Sequence, residues 1–259
     1  METKIMRKPI MKRMATILLL SMSAITGFSQ TQNFGIQLAF TEPILRMNKS
    51  SVTSDFPKYT TVNGFKAGII YDATLIKGFG MSMGLNYAIS GRTTAWQKES
   101  TYTGTVTNTT GKELKRKNVI QTIELPIDWQ YKFEVAQKTY LIVFTGPTIQ
   151  YNFYYKTTNY VKDFNPKTGT KEETQNKYNH YSVDLDGDDN KDFTPFNIQW
   201  GVGLGVQYER YFIRANYDFG IYNHFRDSYY DSSVESLTHY NRGRLDQWSV
   251  RVGIYFWQQ

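Results

Sequence analysis

Residues 196–208, FNIQWGVGLGVQY, alternate without a break. Phe196, Ile198, Trp200, Val202, Leu204, Val206 and Tyr208 fall on one side; Asn197, Gln199, Gly201, Gly203, Gly205 and Gln207 fall on the other. A period of two is the mark of a strand, because successive side chains point to opposite faces. Globular strands average about 5–6 residues, whereas a tilted strand needs roughly 9–11 to cross a membrane. This stretch has the membrane length. Its polarity is also wrong for a soluble barrel, whose exterior would carry Lys, Glu and Thr. One face here is aliphatic and aromatic, as a lipid-facing band must be. The other is glycine and amide, which suits the crowded interior of a narrow barrel.

Seven more segments repeat the pattern: 33–41, 64–73, 79–89, 119–133, 140–155, 211–221 and 247–257. In 140–155 both faces are apolar, so the alternation does not fix the inward side. The connections run 42–63, 74–78, 90–118, 134–139, 156–195, 209–210 and 222–246, long and short in turn. Outer-membrane barrels have this rhythm, with long external loops and short periplasmic turns, and an even strand count leaves both termini in the periplasm. Aromatics gather near strand ends, as in Trp129-Tyr131-Phe133 and Tyr255-Phe256-Trp257, where interfacial girdles form. The reading is all-β: an eight-stranded antiparallel transmembrane barrel of the outer membrane. Ten strands would need 158–182 as a further membrane hairpin, and that segment is too polar.

Residues 1–13 are basic, 14–25 (MATILLLSMSAI) are an apolar run of 12, and Gly27-Phe28-Ser29-Gln30 follows. A charged n-region, a short apolar core and small residues before the cut predict a signal peptide over 1–29. The run is short of the roughly 20 residues of a spanning helix. The barrel domain is then 30–259. The chain has 30 Lys+Arg against 23 Asp+Glu, but the excess sits at the front. Without Lys4, Arg7, Lys8, Lys12, Arg13 and Glu2, 25 bases face 22 acids. A nucleic-acid partner needs a concentrated basic face and is not expected. The absence of cysteine excludes disulfides, thiolate metal sites and a Cys nucleophile.

With the strands placed, four segments carry a resemblance. They are 120–133 (IQTIELPIDWQYKF), 141–151 (LIVFTGPTIQY), 188–208 (DDNKDFTPFNIQWGVGLGVQY) and 212–223 (FIRANYDFGIYN). Their order resembles the PorT-like family of outer-membrane β-barrel proteins of Bacteroidota. The resemblance implies an eight-stranded barrel, and more distantly a place beside a protein-secretion system. The segments 90–118 and 156–195 lie outside it.

The alternation sends Lys66, Asp72, Glu124, Asp128, Lys132, Arg214, Asp218 and Arg251 inward. An isolated buried charge costs several kcal/mol, and an eight-stranded barrel has room for little but side chains. A paired lumen network is therefore expected in preference to a solute path, with Glu124 and Asp128 meeting Arg214 and Arg251. Asp184, Asp186, Asp188 and Asp192 make the densest acidic run; alternating carboxylates could converge on Ca²⁺. Gly187 and Pro195 fall where an EF-hand loop has other residues, and a solvated turn is the plainer meaning. No other cofactor is expected. Lys112, Lys115, Arg116 and Lys117 could meet lipopolysaccharide phosphates, or simply be the wet base of a loop. His180, His224 and His239 fall in loops among Ser and Asp neighbours, as chance would also place them. The expected function is non-enzymatic and monomeric: a structural or interaction barrel in contact with membrane lipid and lipopolysaccharide, accessory to secretion or surface assembly. The alternatives are a small OmpX-type adhesion or membrane-integrity barrel and, third, a barrel enzyme acting on lipid or peptide.

Overall fold

A computed structural model describes residues 31–49, 59–93, 97–103, 106–164, 171–179, 194–224, 229–230 and 239–259. Eight long strands form the body: β1 (Thr31–Lys49), β2 (Asn63–Ile76), β3 (Phe79–Thr93), β4 (Val106–Ala136), β5 (Thr139–Phe164), β6 (Phe196–Tyr208), β7 (Tyr211–Gly220) and β8 (His239–Gln258). Each pairs antiparallel with the next along the chain. β8 returns to β1 over Asn33↔Gln258 to Lys49↔Tyr240, so the sheet closes into a ring with no free edge in its body. Closure satisfies the main-chain hydrogen-bonding groups that lipid cannot. Eight strands make the ring.

Three tight turns join β2 to β3, β4 to β5 and β6 to β7. Lys77 and Gly78 both have positive φ (45° and 88°), the geometry of a two-residue primed hairpin turn. Lys138 and Glu209 sit in the same left-handed region. Main-chain bonds lace this end sideways: Glu209 N donates to Lys138 O, and Gln32 and Gln259 exchange a pair across the closing seam.

The strands at the other end run further than the alternation predicts. β4 starts at Val106 and β5 ends at Phe164, so much of 90–118 and 156–195 is strand. Residues 97–103 pair with β4, and 171–179 pair with β5 over Lys156↔Asn179 to Phe164↔Lys171. These segments are rich in Thr, Lys and Asn, polar on both faces. Once both faces are wet, the ladder continues but the hydropathy signal vanishes. Residues 158–182, too polar for a membrane hairpin, do contribute paired strands, but the pairing hangs off the ring instead of entering it. Two further short strands, 59–61 and 229–230, extend the rim.

Burial is inverted relative to a soluble protein. Leu38, Phe65 and Leu204 are 63, 68 and 58 % exposed, while Asp72, Asn197, Gln199 and Arg214 are at 0 %. In β5, Ile142, Phe144, Thr148, Gln150 and Asn152 point inward, which fixes the side the sequence left open. Among the buried apolar residues, Ile70, Phe212 and Tyr255 form a small cluster. Inward glycines make room for inward bulk: a Cβ on Gly203 would overlap the Phe144 ring, and one on Gly253 the Phe212 ring.

Candidate functional site

The lumen is the site the sequence pointed to, and it is built in three tiers. Nearest the turns, Asp72 on β2 gathers donors from three other strands. Its Oδ2 accepts Arg214 Nη2 at 2.6 Å, Lys132 Nζ at 3.2 Å and the Tyr255 hydroxyl. Arg214 Nη1 also donates to Ser82 Oγ at 3.2 Å, and Lys132 Nζ donates to Gln207 Oε1 at 2.9 Å. The Arg214 guanidinium lies 5.1 Å from the Phe212 ring centre and 5.6 Å from that of Phe144. Such ring faces attract a cation that has lost its water.

In the middle tier Arg251 Nη2 stands 3.7 Å from Asp128 Oδ2 and 5.2 Å from the centre of the Phe144 ring. Asn216 Nδ2 donates to Asp218 Oδ2 at 2.7 Å, and Ser249 donates to Asn216 Oδ1 at 2.7 Å. The Gln130 amide is 2 % exposed and finds no hydrogen-bond partner among the described residues. Its donors and acceptor fit an interior water.

The upper tier centres on Glu124. Lys66 Nζ reaches its Oε2 at 2.7 Å; Gln150 Nε2 and Gln247 Nε2 donate to its Oε1 at 3.0 and 3.1 Å. Asn197 Nδ2 then donates to Gln150 Oε1 at 2.9 Å, and Thr122 to Asn152 Oδ1 at 2.6 Å. This is a locked, charge-paired filling. Its side chains cross the bore at three heights and brace strands that are distant in sequence.

The pairing follows the sequence expectation in part. Arg251 meets Asp128 as expected, but the ion pair of Arg214 is with Asp72, and Glu124 takes Lys66. Parity puts these residues inside, but which of them meet depends on stagger around the ring. Lys66, Glu124, Asp128, Arg214, Asp218 and Arg251 are all buried. The basic run lies on the extension of β4, where Lys112 pairs with Asp163, Lys115 with Tyr160, Arg116 with Asn159 and Lys117 with Thr158 along the backbone. Lys117 is exposed and Lys115 half-buried. Asp184, Asp186, Asp188, Asp192, His180 and the leader 1–29 lie outside the described residues. His224 is buried, its backbone bridging Thr194 and Gly243; His239 pairs with Tyr230 along the backbone. Among the described residues no three His, Asp or Glu side chains cluster in a way that would hold a metal.

Sequence comparison with curated proteins gives no match. Solved structures align over most of the chain at low similarity. Ail, the attachment invasion locus protein of Yersinia pestis, crystallised with the heparin analogue sucrose octasulfate, is 11% identical, covering 87% of this chain and 99% of its own, with a TM-score of 0.35. OprG of Pseudomonas aeruginosa is 9% identical, with 89% and 96% covered and a TM-score of 0.38. The outer membrane protease OmpT of Escherichia coli is 9% identical, with 87% and 95% covered and a TM-score of 0.35. The profile of the family described as "Outer membrane protein beta-barrel domain" matches residues 27–226. With that match over a ring of eight strands whose apolar face is outside, this chain belongs to the outer membrane protein beta-barrel domain family and is a barrel of the outer membrane.

Proposed function

We propose that this barrel is a non-enzymatic interaction protein that holds a β-sheet arm outside the membrane for a partner protein, in a role accessory to secretion or surface assembly. The observation that carries this reading is the continuation of β4 and β5 past the ring, flanked by 97–103 and 171–179. Among the described residues, 171–179 has β5 on one side and no strand on the other. An unpaired edge is a template on which another chain can add a strand. The filled lumen supports a role at the surface over one in transport. In this reading the leader 1–29 exports the chain, both termini and the tight turns face the periplasm, and the arm faces outward, as in other barrels of this kind.

The arm is also basic. Its segments carry Lys98, Lys112, Lys115, Arg116, Lys117, Lys156, Lys162, Lys171 and Lys177 and fewer acids, Glu99, Glu113, Asp163, Glu172 and Glu173. That excess favours the second reading, a small adhesion or membrane-integrity barrel in contact with lipopolysaccharide phosphate or an acidic glycan.

A photo-crosslinking residue at Gln175, exposed on the edge strand, tests the first reading in intact cells. One discrete protein adduct is expected, and Asn176→Pro in the same strand should abolish it, because proline breaks the hydrogen-bonding ladder of a strand. Adducts to lipopolysaccharide alone would favour the second reading. The absence of any adduct at Gln175 would overturn the docking role.

A further inference from the structure

The lipid-facing side of the ring is not uniformly convex. Across β4 to β8 the outward side chains leave a trough of about 870 Å³ with an apolar lining. Its floor is made by small residues, Thr145 on β5 and Ala215 on β7. Trp129 and Tyr131 rise at one end, Tyr217 and Trp248 at the other. The trough runs from Tyr131, near the tight-turn end of β4, to Trp248 at the middle of β8, and Arg46 and Arg244 stand beyond it toward the long-strand ends of β1 and β8.

At that upper end the two wall residues change character. The Tyr217 hydroxyl donates to Asp246 Oδ2 at 3.0 Å and accepts from Arg46 Nη2 at 2.8 Å. The Trp248 indole donates to Glu42. Asp246 is fully buried, although its parity puts it on the outer face. It also takes Arg46 Nε at 2.7 Å, Gly220 N at 2.8 Å and, further off, Arg244 Nε at 3.6 Å. Arg46 and Arg244 stand directly opposite one another on β1 and β8. Like charges in that position repel. Asp246 offsets only one of them, and Glu42 is turned to the indole. Both arginine side chains remain about half exposed, at 49 and 51 %. A doubly cationic pair at the rim of a lipid-facing apolar trough fits an anion that carries an acyl chain.

The geometry points to a specific binding site for a phosphorylated glycolipid of the outer leaflet. One acyl chain would lie in the trough over Thr145 and Ala215, with a phosphate between Arg46 and Arg244. Arginine holds phosphate by paired, charge-assisted hydrogen bonds, and at the edge of an apolar phase these are little weakened by water. Tyr217 and Trp248 serve both halves, packing their rings on the chain while their polar tips orient the arginine cluster. The site is separate from the β4 basic run. It rests on the proposed orientation, which puts the long-strand end in the outer leaflet.

The test uses the folded chain 30–259 in detergent, titrated with lipid A and followed by native mass spectrometry. One retained lipid A is expected, with lipid A stripped of its phosphates binding at least 10-fold more weakly. Arg46→Gln with Arg244→Gln should weaken lipid A by about 10-fold or more, and Ala215→Trp, which fills the trough, should do the same. All these residues face outward, so unchanged heat-shifted gel mobility serves as the folding control. Equal retention by wild type and the arginine variant would overturn the site, as would indifference to the phosphates. A dimer that Ala215→Trp abolishes and lipid A does not compete would make the trough an interface between copies, and would also overturn it. Phosphatidylglycerol is the control for orientation. A preference for it that still requires both arginines would overturn the outer-leaflet source and, with it, the orientation.

Discussion

Asp72 shows how a single residue can hold four strands. It sits on β2, and its partners are Lys132 on β4, Arg214 on β7 and Tyr255 on β8. Without the carboxylate, two cations would share a dry tier with nothing between them. Removing one partner of a buried ion pair typically costs about 3–5 kcal/mol. Asp72→Ala should therefore lower the stability of the folded barrel by about that amount, read as a lower urea midpoint for the heat-shifted band in lipid vesicles. Adding Arg214→Met should recover part of the loss, because it removes the stranded guanidinium; a double variant worse than the sum would contradict the pairing. The inward position of Asp72, Lys132 and Arg214 was legible from parity alone. Their meeting was not, because Asp72 and Arg214 lie 142 residues apart and only ring closure brings them together. The same gap explains why Glu124 was matched with arginines although Lys66 holds it.

Among the elements, the tight turns are where local chemistry and fold disagree. Lys77 carries a left-handed φ of 45° that an L residue with a long side chain adopts at a cost of about 1–2 kcal/mol, whereas Asn visits it readily. Lys77→Asn turns the loop into Asn-Gly and should stabilise the barrel by up to about 1 kcal/mol, seen as a higher urea midpoint. A neighbouring link ties two turns together. Lys138 Nζ donates to Glu209 Oε1 at 2.8 Å, and both side chains are exposed. The hydrogen bond and the charge of Lys138 hold the Glu209 carboxyl below its usual value, while Glu209 holds Lys138 above its own. Glu209 thus contributes above its unfolded value, and that contribution fades as pH falls through the lowered one. Lys138 contributes below its unfolded value and loses that as pH rises through the raised one. Glu209→Gln should consequently flatten a shallow stability plateau at its acid and alkaline edges, and 1 M salt should erase the difference from wild type, since exposed pairs are screened. The strands themselves were legible where lipid meets one face. Beyond the membrane rim β4 and β5 keep their ladders but lose the contrast that reveals them, which is why 97–103 and 171–179 read as loop.

For the whole molecule, closure and filling act together. The seam from Asn33↔Gln258 to Lys49↔Tyr240 leaves the body of the sheet without an edge in lipid, and the lumen network fixes the stagger of the strands that meet there. The alternation made the closed ring readable, because a sheet with a lipid-facing apolar side has no other way to satisfy its backbone. A bore crossed by Arg214, Phe144, Tyr255, Glu124 and Gln150, each at most 3 % exposed, is filled by side chains, and a filled eight-stranded bore is expected to hold back a hydrated ion. The purified chain in planar bilayers should accordingly give no discrete current steps, although it migrates as a folded, heat-shifted band. Breaking one tier should not be enough: Glu124→Ala alone leaves the Asp72–Arg214 and Asp128–Arg251 tiers in place and should remain silent. Steady unitary currents from the wild type, scaling with bulk salt, would mean that the tiers do not pack as one plug. The arm would then stand above a pore and not above a sealed barrel.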